Sequence, residues 1–377
     1  MFKKISHPMT NTQRALAILN YQPYDRMPVV HFGYWHETLE KWVAEGHLPK
    51  NSDQEKDPNH TWHNQAWASA GPKLGFDFEW DTCISGNGSL DPQFEIKTIQ
   101  TFPDGSSHLQ NRDGVIILQA PGANSIPAEI DHLLKDRASW EEHYKPRLQW
   151  SPKRIPQRPN PVGDAPKGLY CGSLIGTIRD IMGVVGLSYA MVDDEDLLDE
   201  IIQTFADLAL KNVQTILASG LHFDFAHFWE DICFKNGPLI NPAMFAEKIG
   251  PHYKRITQEL HKHGIGIVSL DCDGCIDDLL PIWLENGVNT MFPIEVGTWN
   301  ASIQPWREKY GKAVRGVGGM NKDAFTMDRA AIDAEIERLK PLIALGGYIP
   351  CPDHRIPPNA HWDLVCYYCE KMHTLSL

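Results

Sequence analysis

In Val268-Ser-Leu-Asp271-Cys272-Asp273-Gly274-Cys275 an apolar, strand-like run stops abruptly in two carboxylates and two thiols. A buried strand needs only turn residues at its end, so metal ligands and proton carriers crowded there mark a site. In the plainer alternative, Asp271 and Asp273 cap a helix starting near Ile276 and the cysteines pack. A second run, Gly346-Gly-Tyr-Ile-Pro-Cys351-Pro-Asp353-His354, favours the site, because another apolar strand ends in a thiol, a carboxylate and an imidazole. Two such endings predict one shared mouth.

Outward from these runs, apolar segments alternate with amphipathic helices, the rhythm of a parallel sheet. Strands are expected within 27–35, 75–80, 167–171, 221–227, 264–270, 289–293, 313–317 and 347–350. Eight strands is the number that closes a TIM (β/α)8 barrel, so the expected fold class is α/β with that barrel, and residues 1–377 are read as one domain. The strongest helix is expected over 193–219, with acids in its first turn and Gly220 as its stop. A second should start at the N-cap Asn241 with Pro242 in the first helical position and run to about 263. Residues 94–119 alternate as antiparallel strands do, with turns at 103–105 and 112–114, and predict a β-hairpin inserted after the second strand. Residues 151–166 contain five prolines and read as an excursion loop.

Composition narrows the function. A formal charge of −13 opposes binding to nucleic acid or an anionic membrane surface, since no basic face is present to release counterions. No apolar run approaches the ~20 residues of a membrane span, and the opening residues lack the apolar core of a secretory signal. A soluble, cytoplasmic protein with reduced thiols and a small-molecule substrate is expected.

In a barrel of this kind the strand ends share one face, and chemistry gathers there. The first strand would supply His31, Tyr34, Trp35 and His36, and the fourth His227, Trp229, Glu230 and Asp231. The fifth brings Asp271, Cys272, Asp273 and Cys275, and later ones Glu295, Trp299, Asn321, Cys351, Asp353 and His354. Crowded carboxylates must share protons, bind a cation or meet lysines, and a metal is one natural solution. Cys272-x-x-Cys275 alone is a weak metal signal, because no second pair follows at zinc-ribbon spacing. The aromatics, Trp35, Trp229 and Trp299 among them, serve either as loop packing or as ligand contacts.

The chain resembles the uroporphyrinogen decarboxylase superfamily, which also contains zinc-dependent methyltransferases that act with corrinoid proteins. The resemblance covers nearly the whole chain. It rests on Thr12-Gln-Arg14-Ala-Leu-Ala-Ile-Leu-Asn20, Asp25-Arg26-Met-Pro28, Gly172-Ser-Leu-Ile-Gly176-Thr-Ile-Arg179-Asp-Ile-Met-Gly183, Asn236-Gly-Pro-Leu-Ile-Asn-Pro242 and Gly346-Gly347-Tyr. Members that decarboxylate uroporphyrinogen carry an arginine-rich motif after the first strand, where this chain reads His31-Phe-Gly-Tyr34-Trp35-His36-Glu37. Without that clamp, an acidic mouth should prefer neutral or cationic molecules.

The corrinoid-linked members hold zinc with a His-x-Cys pair after the fifth strand and a distant Cys after the eighth. Here Asp271-Cys272-Asp273 and Cys351 stand at those places. The resemblance thus implies a divalent metal, zinc by preference, on Asp271, Asp273, Cys351 and Cys272. Proton transfer is expected on His227, Glu230, Asp273, Asp353 or His354, and the strand-end reading places substrate contacts on His31, Tyr34, Trp35, Trp229, Glu295 and Trp299. The expected activity is a metal-assisted methyl transfer with a corrinoid carried by a partner protein. Decarboxylation of a small or cyclic carboxylate is the alternative, and homo-oligomerisation is left open.

Overall fold

A computed structural model describes residues 8–50, 65–121, 127–156 and 163–375. Residues 157–162 of the proline-rich excursion therefore lie outside the described residues. The chain forms β1 (Val30–His31), β2 (Phe78–Glu79), β3 (Cys83–Ser85), β4 (Lys97–Thr101), β5 (Ser107–Gln110), β6 (Val115–Gln119), β7 (Ala128–His132) and β8 (Gly168–Tyr170). It continues with β9 (Phe225–Trp229), β10 (Cys233–Phe234), β11 (Gly237–Pro238), β12 (Val268–Asp271), β13 (Thr290–Ile294), β14 (Arg315–Met320) and β15 (Tyr348–Pro352).

Seven strands form one sheet in the order β15-β14-β13-β12-β9-β8-β3, with every neighbouring pair parallel. Residues of β12, β13 and β15 are buried throughout, as expected of strands covered on both faces. A separate parallel pair, β1-β2, flanks the sheet: Tyr34 bridges Ile356 just past β15, and β2 leads within a few residues into β3. Trp80, fully buried at the end of β2, donates through Nε1 to Ser269 Oγ on β12 at 3.1 Å and stacks on Phe225 of β9 at 4.5 Å. These contacts tie the small pair to the interior of the large sheet.

Each of the eight expected segments overlaps an observed parallel strand, several of which run a few residues further, while β3, Cys83-Ile-Ser85, is too short to show a pattern in the sequence. The inserted segment is larger than a hairpin: β4, β5, β6 and β7 make a four-stranded antiparallel sheet that follows β3. The exposed face of β7 hides its alternation in the sequence.

The helices follow their local signals. Glu195–Ala218 begins where Asp194 accepts from Leu197 N at 3.1 Å, and Glu195 and Asp196 complement the helix dipole. Asn241 caps the next helical segment, accepting from Ala243 N at 2.8 Å, and the segment continues through Gly250–Lys262 to a stop at Gly264, φ +78°. No helix starts at Ile276; the next one is Leu280–Glu285, so Asp271 and Asp273 are not helix caps. Among the described residues, no helix is long and apolar enough to cross a membrane.

Candidate functional site

Because the seven strands run in one direction, the loops after β9, β12, β13 and β15 open on one side. Strand alternation sends Asp271 and Asp273 to one face and Cys272 to the other, where its buried thiol meets Cys233. Gly274 then turns the chain with φ +87°, and a side chain there would lie 2.5 Å from the Cys233 carbonyl oxygen. After β9, Asp231 takes a left-handed conformation, φ +47°, uncommon for a residue with a Cβ. Its Oδ1 accepts from Asp273 N at 3.0 Å.

The outcome is a cluster in which one oxygen each of Asp231, Asp271 and Asp273 lies within 4.8 Å of the others, the only such group among the described residues. Burial is the largest cause pushing Asp231 up to about 7, and the neighbouring Asp273 charge adds to it. Asp271, 9 % exposed, is raised well above the usual carboxylate range by burial and by Asp231 and Asp273. Asp273 is engaged from outside: its Oδ2 lies 3.2 Å from His354 Nε2. The His354 ring stacks on Trp35 at 5.4 Å and meets the edge of Phe32. Glu295 accepts from Gly274 N at 2.5 Å and from Thr298 Oγ1 at 2.8 Å, which fixes the turn beneath Asp273.

The other expected site residues occupy different positions. Glu230 is fully buried and accepts from Ser173 Oγ and from the backbone N–H groups of Leu174, Ile175 and Gly176, and it also accepts from the Tyr253 hydroxyl. It holds the N-terminus of helix Gly176–Asp193 rather than facing the mouth. Asp353, also fully buried, accepts from Gly297 N at 2.7 Å and Lys322 N at 3.0 Å and so joins the loops after β13 and β14. His227 lies 3.2 Å from Ser269 Oγ, and burial pushes it down to about 3, which makes it a poor proton carrier near neutrality. His31 and Tyr34 are core residues: Gly33 N donates to His31 Nδ1, and Tyr34, fully buried, is edged by Trp42 and Trp67. Trp35, Trp229 and Trp299 keep partial exposure, Trp299 beside Trp306 at 6.2 Å. Cys351 is fully buried with its thiol pushed well up, and neither it nor Cys272 joins the carboxylate cluster.

Three charged residues at the mouth escaped the sequence reading. Asp81, pushed up to about 7 by burial and by Glu79, acts on Asp271, and Arg355 draws both carboxyls down. Arg179 does the same for Asp231. Asp81 directly follows the expected segment 75–80 and Arg355 directly follows His354, so extending each ending by one residue finds both.

A divalent cation is the natural partner of three converging carboxylates, and the donor set decides which kind. With oxygen ligands only, the group suits magnesium, manganese or calcium better than zinc, which favours thiolate and imidazole. The three carboxylates fit a divalent metal, and the zinc preference implied by the resemblance is not carried by this donor set.

No known family profile matches the chain, and no curated protein sequence matches it. Among solved structures, a methyltransferase from Methanosarcina mazei is similar over 97 % of this chain and 98 % of its own, with 14 % identity and a TM-score of 0.59. At that identity the likeness is one of fold. A putative vitamin-B12 independent methionine synthase from Listeria monocytogenes (14 % identity, 57 % of this chain, 66 % of that one) has a TM-score of 0.35. A B12-independent methionine synthase from Shewanella sp. W3-18-1 (11 %, 55 % and 61 %) has a TM-score of 0.37.

Proposed function

We propose that the chain is a TIM-barrel enzyme of the uroporphyrinogen decarboxylase kind that carries out a metal-assisted methyl transfer, with a corrinoid held by a partner protein, on a small methylated or methyl-accepting compound. The observation that carries this reading is the convergence of Asp231, Asp271 and Asp273 beside His354 at the strand ends. The order of β1 and β2 against β15 and β3 supports the barrel, as does the full-length fold likeness to a methyltransferase.

A hard divalent cation on the three aspartates would act as a Lewis acid toward a thiol or a methyl-bearing oxygen. The chain does the rest. His354 holds or moves a proton at Nε2, with Asp273 orienting it and Trp35 fixing its ring plane. Glu295 keeps the Gly274 turn, and with it Asp273, in place. The burial of Asp271 limits water at the reacting centre.

Arg179 and Arg355 favour one alternative, decarboxylation of a small carboxylate, since they supply positive charge near the cluster. Incubation with a methylated corrinoid protein plus thiol or folate acceptors, and separately with uroporphyrinogen, separates the two. Cobalt-linked absorbance change that depends on added manganese or magnesium is the expected result. Efficient coproporphyrinogen formation instead would overturn it.

A further inference from the structure

A cavity of about 410 Å³ opens beside the carboxylate cluster, between the loop after β3, the end of β8 and the helices Gly176–Asp193 and Glu195–Ala218. Its volume lies in the range of small-ligand sites, roughly 300–1,000 Å³. One wall is apolar, formed by Ile181, Phe205, Leu208 and Ala209. Asp113 and Asp180 face it from other sides, and no Lys, Arg or His is among the residues lining it.

The walls are preformed. Arg154, 1 % exposed, donates to the carbonyls of Asn87 and Ser89 at 3.0 and 2.7 Å, and Asn212 Nδ2 donates to Asn87 O at 3.1 Å. Only glycine fits at position 86, where a Cβ would sit 2.8 Å from Asn212 Cγ. With its N–H used on the loop, Asn212 leaves Oδ1 buried and unpartnered, so the wall has more acceptors than donors.

The cavity wall is also linked electrostatically to the carboxylate cluster. Tyr170 lines it and lies 6.5 Å from His227, while Arg179 donates to Asp180 at 2.5 Å and acts electrostatically on Asp231. Arg112 and Arg179 offset Asp113 and Asp180 from outside the lining, while within it the two carboxylates are the only charged groups, a lining suited to an ammonium rather than an anion.

We propose that this cavity seats the small substrate of the reaction, and that the substrate class is an aliphatic ammonium with a short carbon chain, its N–H groups toward Asp180 and Asp113 and its chain on Phe205 and Leu208. The inference rests on the reading of the three aspartates as the chemical centre. Its test reads binding without turnover, so it stands or falls separately from the reaction assigned to them.

Calorimetric titration of the full chain at pH 7.5 with n-butylammonium, 1-butanol and butyrate provides the test. The expected result is one butylammonium per chain, bound at least about tenfold more tightly than the alcohol, with butyrate undetected. Asp180→Asn, close to isosteric, should weaken the ammonium roughly tenfold, and Asp113→Asn should act in the same direction. Glu337→Gln, remote from the cavity, should change nothing. Equal binding of the alcohol, preference for butyrate, indifference to both cavity variants, or no ammonium binding up to about 10 mM would overturn the proposal.

Discussion

His354 Nε2 lies 3.2 Å from Asp273 Oδ2 while its ring stacks on Trp35, so the imidazole is held by a carboxylate contact at one nitrogen and by stacking on its face. A proton carrier held in this way transfers efficiently because little reorganisation precedes the transfer.

Replacing His354 should therefore cost turnover more than binding. His354→Gln is expected to lower kcat roughly 10²-fold in the methyl-transfer assay while changing cation affinity by less than about threefold. Steady-state kinetics together with a cation titration check this. Unchanged kcat would remove His354 from proton transfer.

Glu230 should behave as a structural acid. Glu230→Ala leaves three backbone N–H groups of helix Gly176–Asp193 and the Tyr253 hydroxyl without their acceptor, with an expected loss of roughly 3–5 kcal/mol in denaturant unfolding. A variant with native stability and no turnover would instead put Glu230 in the chemistry.

The buried His227 predicts acid sensitivity. Its folded pKa, about 3, lies below the ordinary 6.5, so the unfolded chain takes up the proton first as pH falls. The stability contribution is complete above about pH 6.5 and is lost progressively toward pH 3, on the order of a few kcal/mol in all. His227→Gln should flatten the fall in Tm over that window, as calorimetry at successive pH values would record. An identical slope in the variant would contradict the assignment.

The parallel strands were legible because their apolar runs are bounded by glycine and by helical periodicity, and Asn241 announced its helix by type alone. The site was legible only in part. Glu230 and Asp231 are neighbours of like chemistry, and only the left-handed turn at Asp231 sends one carboxylate under a helix and the other to the mouth. Strand alternation, which the sequence contains, turns Cys272 away from the carboxylate cluster. Cys351 and Asp353 end a strand as expected, yet burial depth, set by the packing of distant loops, removes them from the cluster. Arg179 lay within a quoted motif without any local sign that it reaches Asp231.

The central claim is an oxygen-ligated divalent cation on Asp231, Asp271 and Asp273, and manganese titration of chelator-treated protein, followed by electron paramagnetic resonance, tests it most directly. The account predicts one bound manganese per chain, displaced by magnesium, with affinity that rises between about pH 6 and 8 as Asp231 gives up its proton, and lost in Asp271→Asn. No binding below about 1 mM, or binding that survives Asp271→Asn, would contradict it.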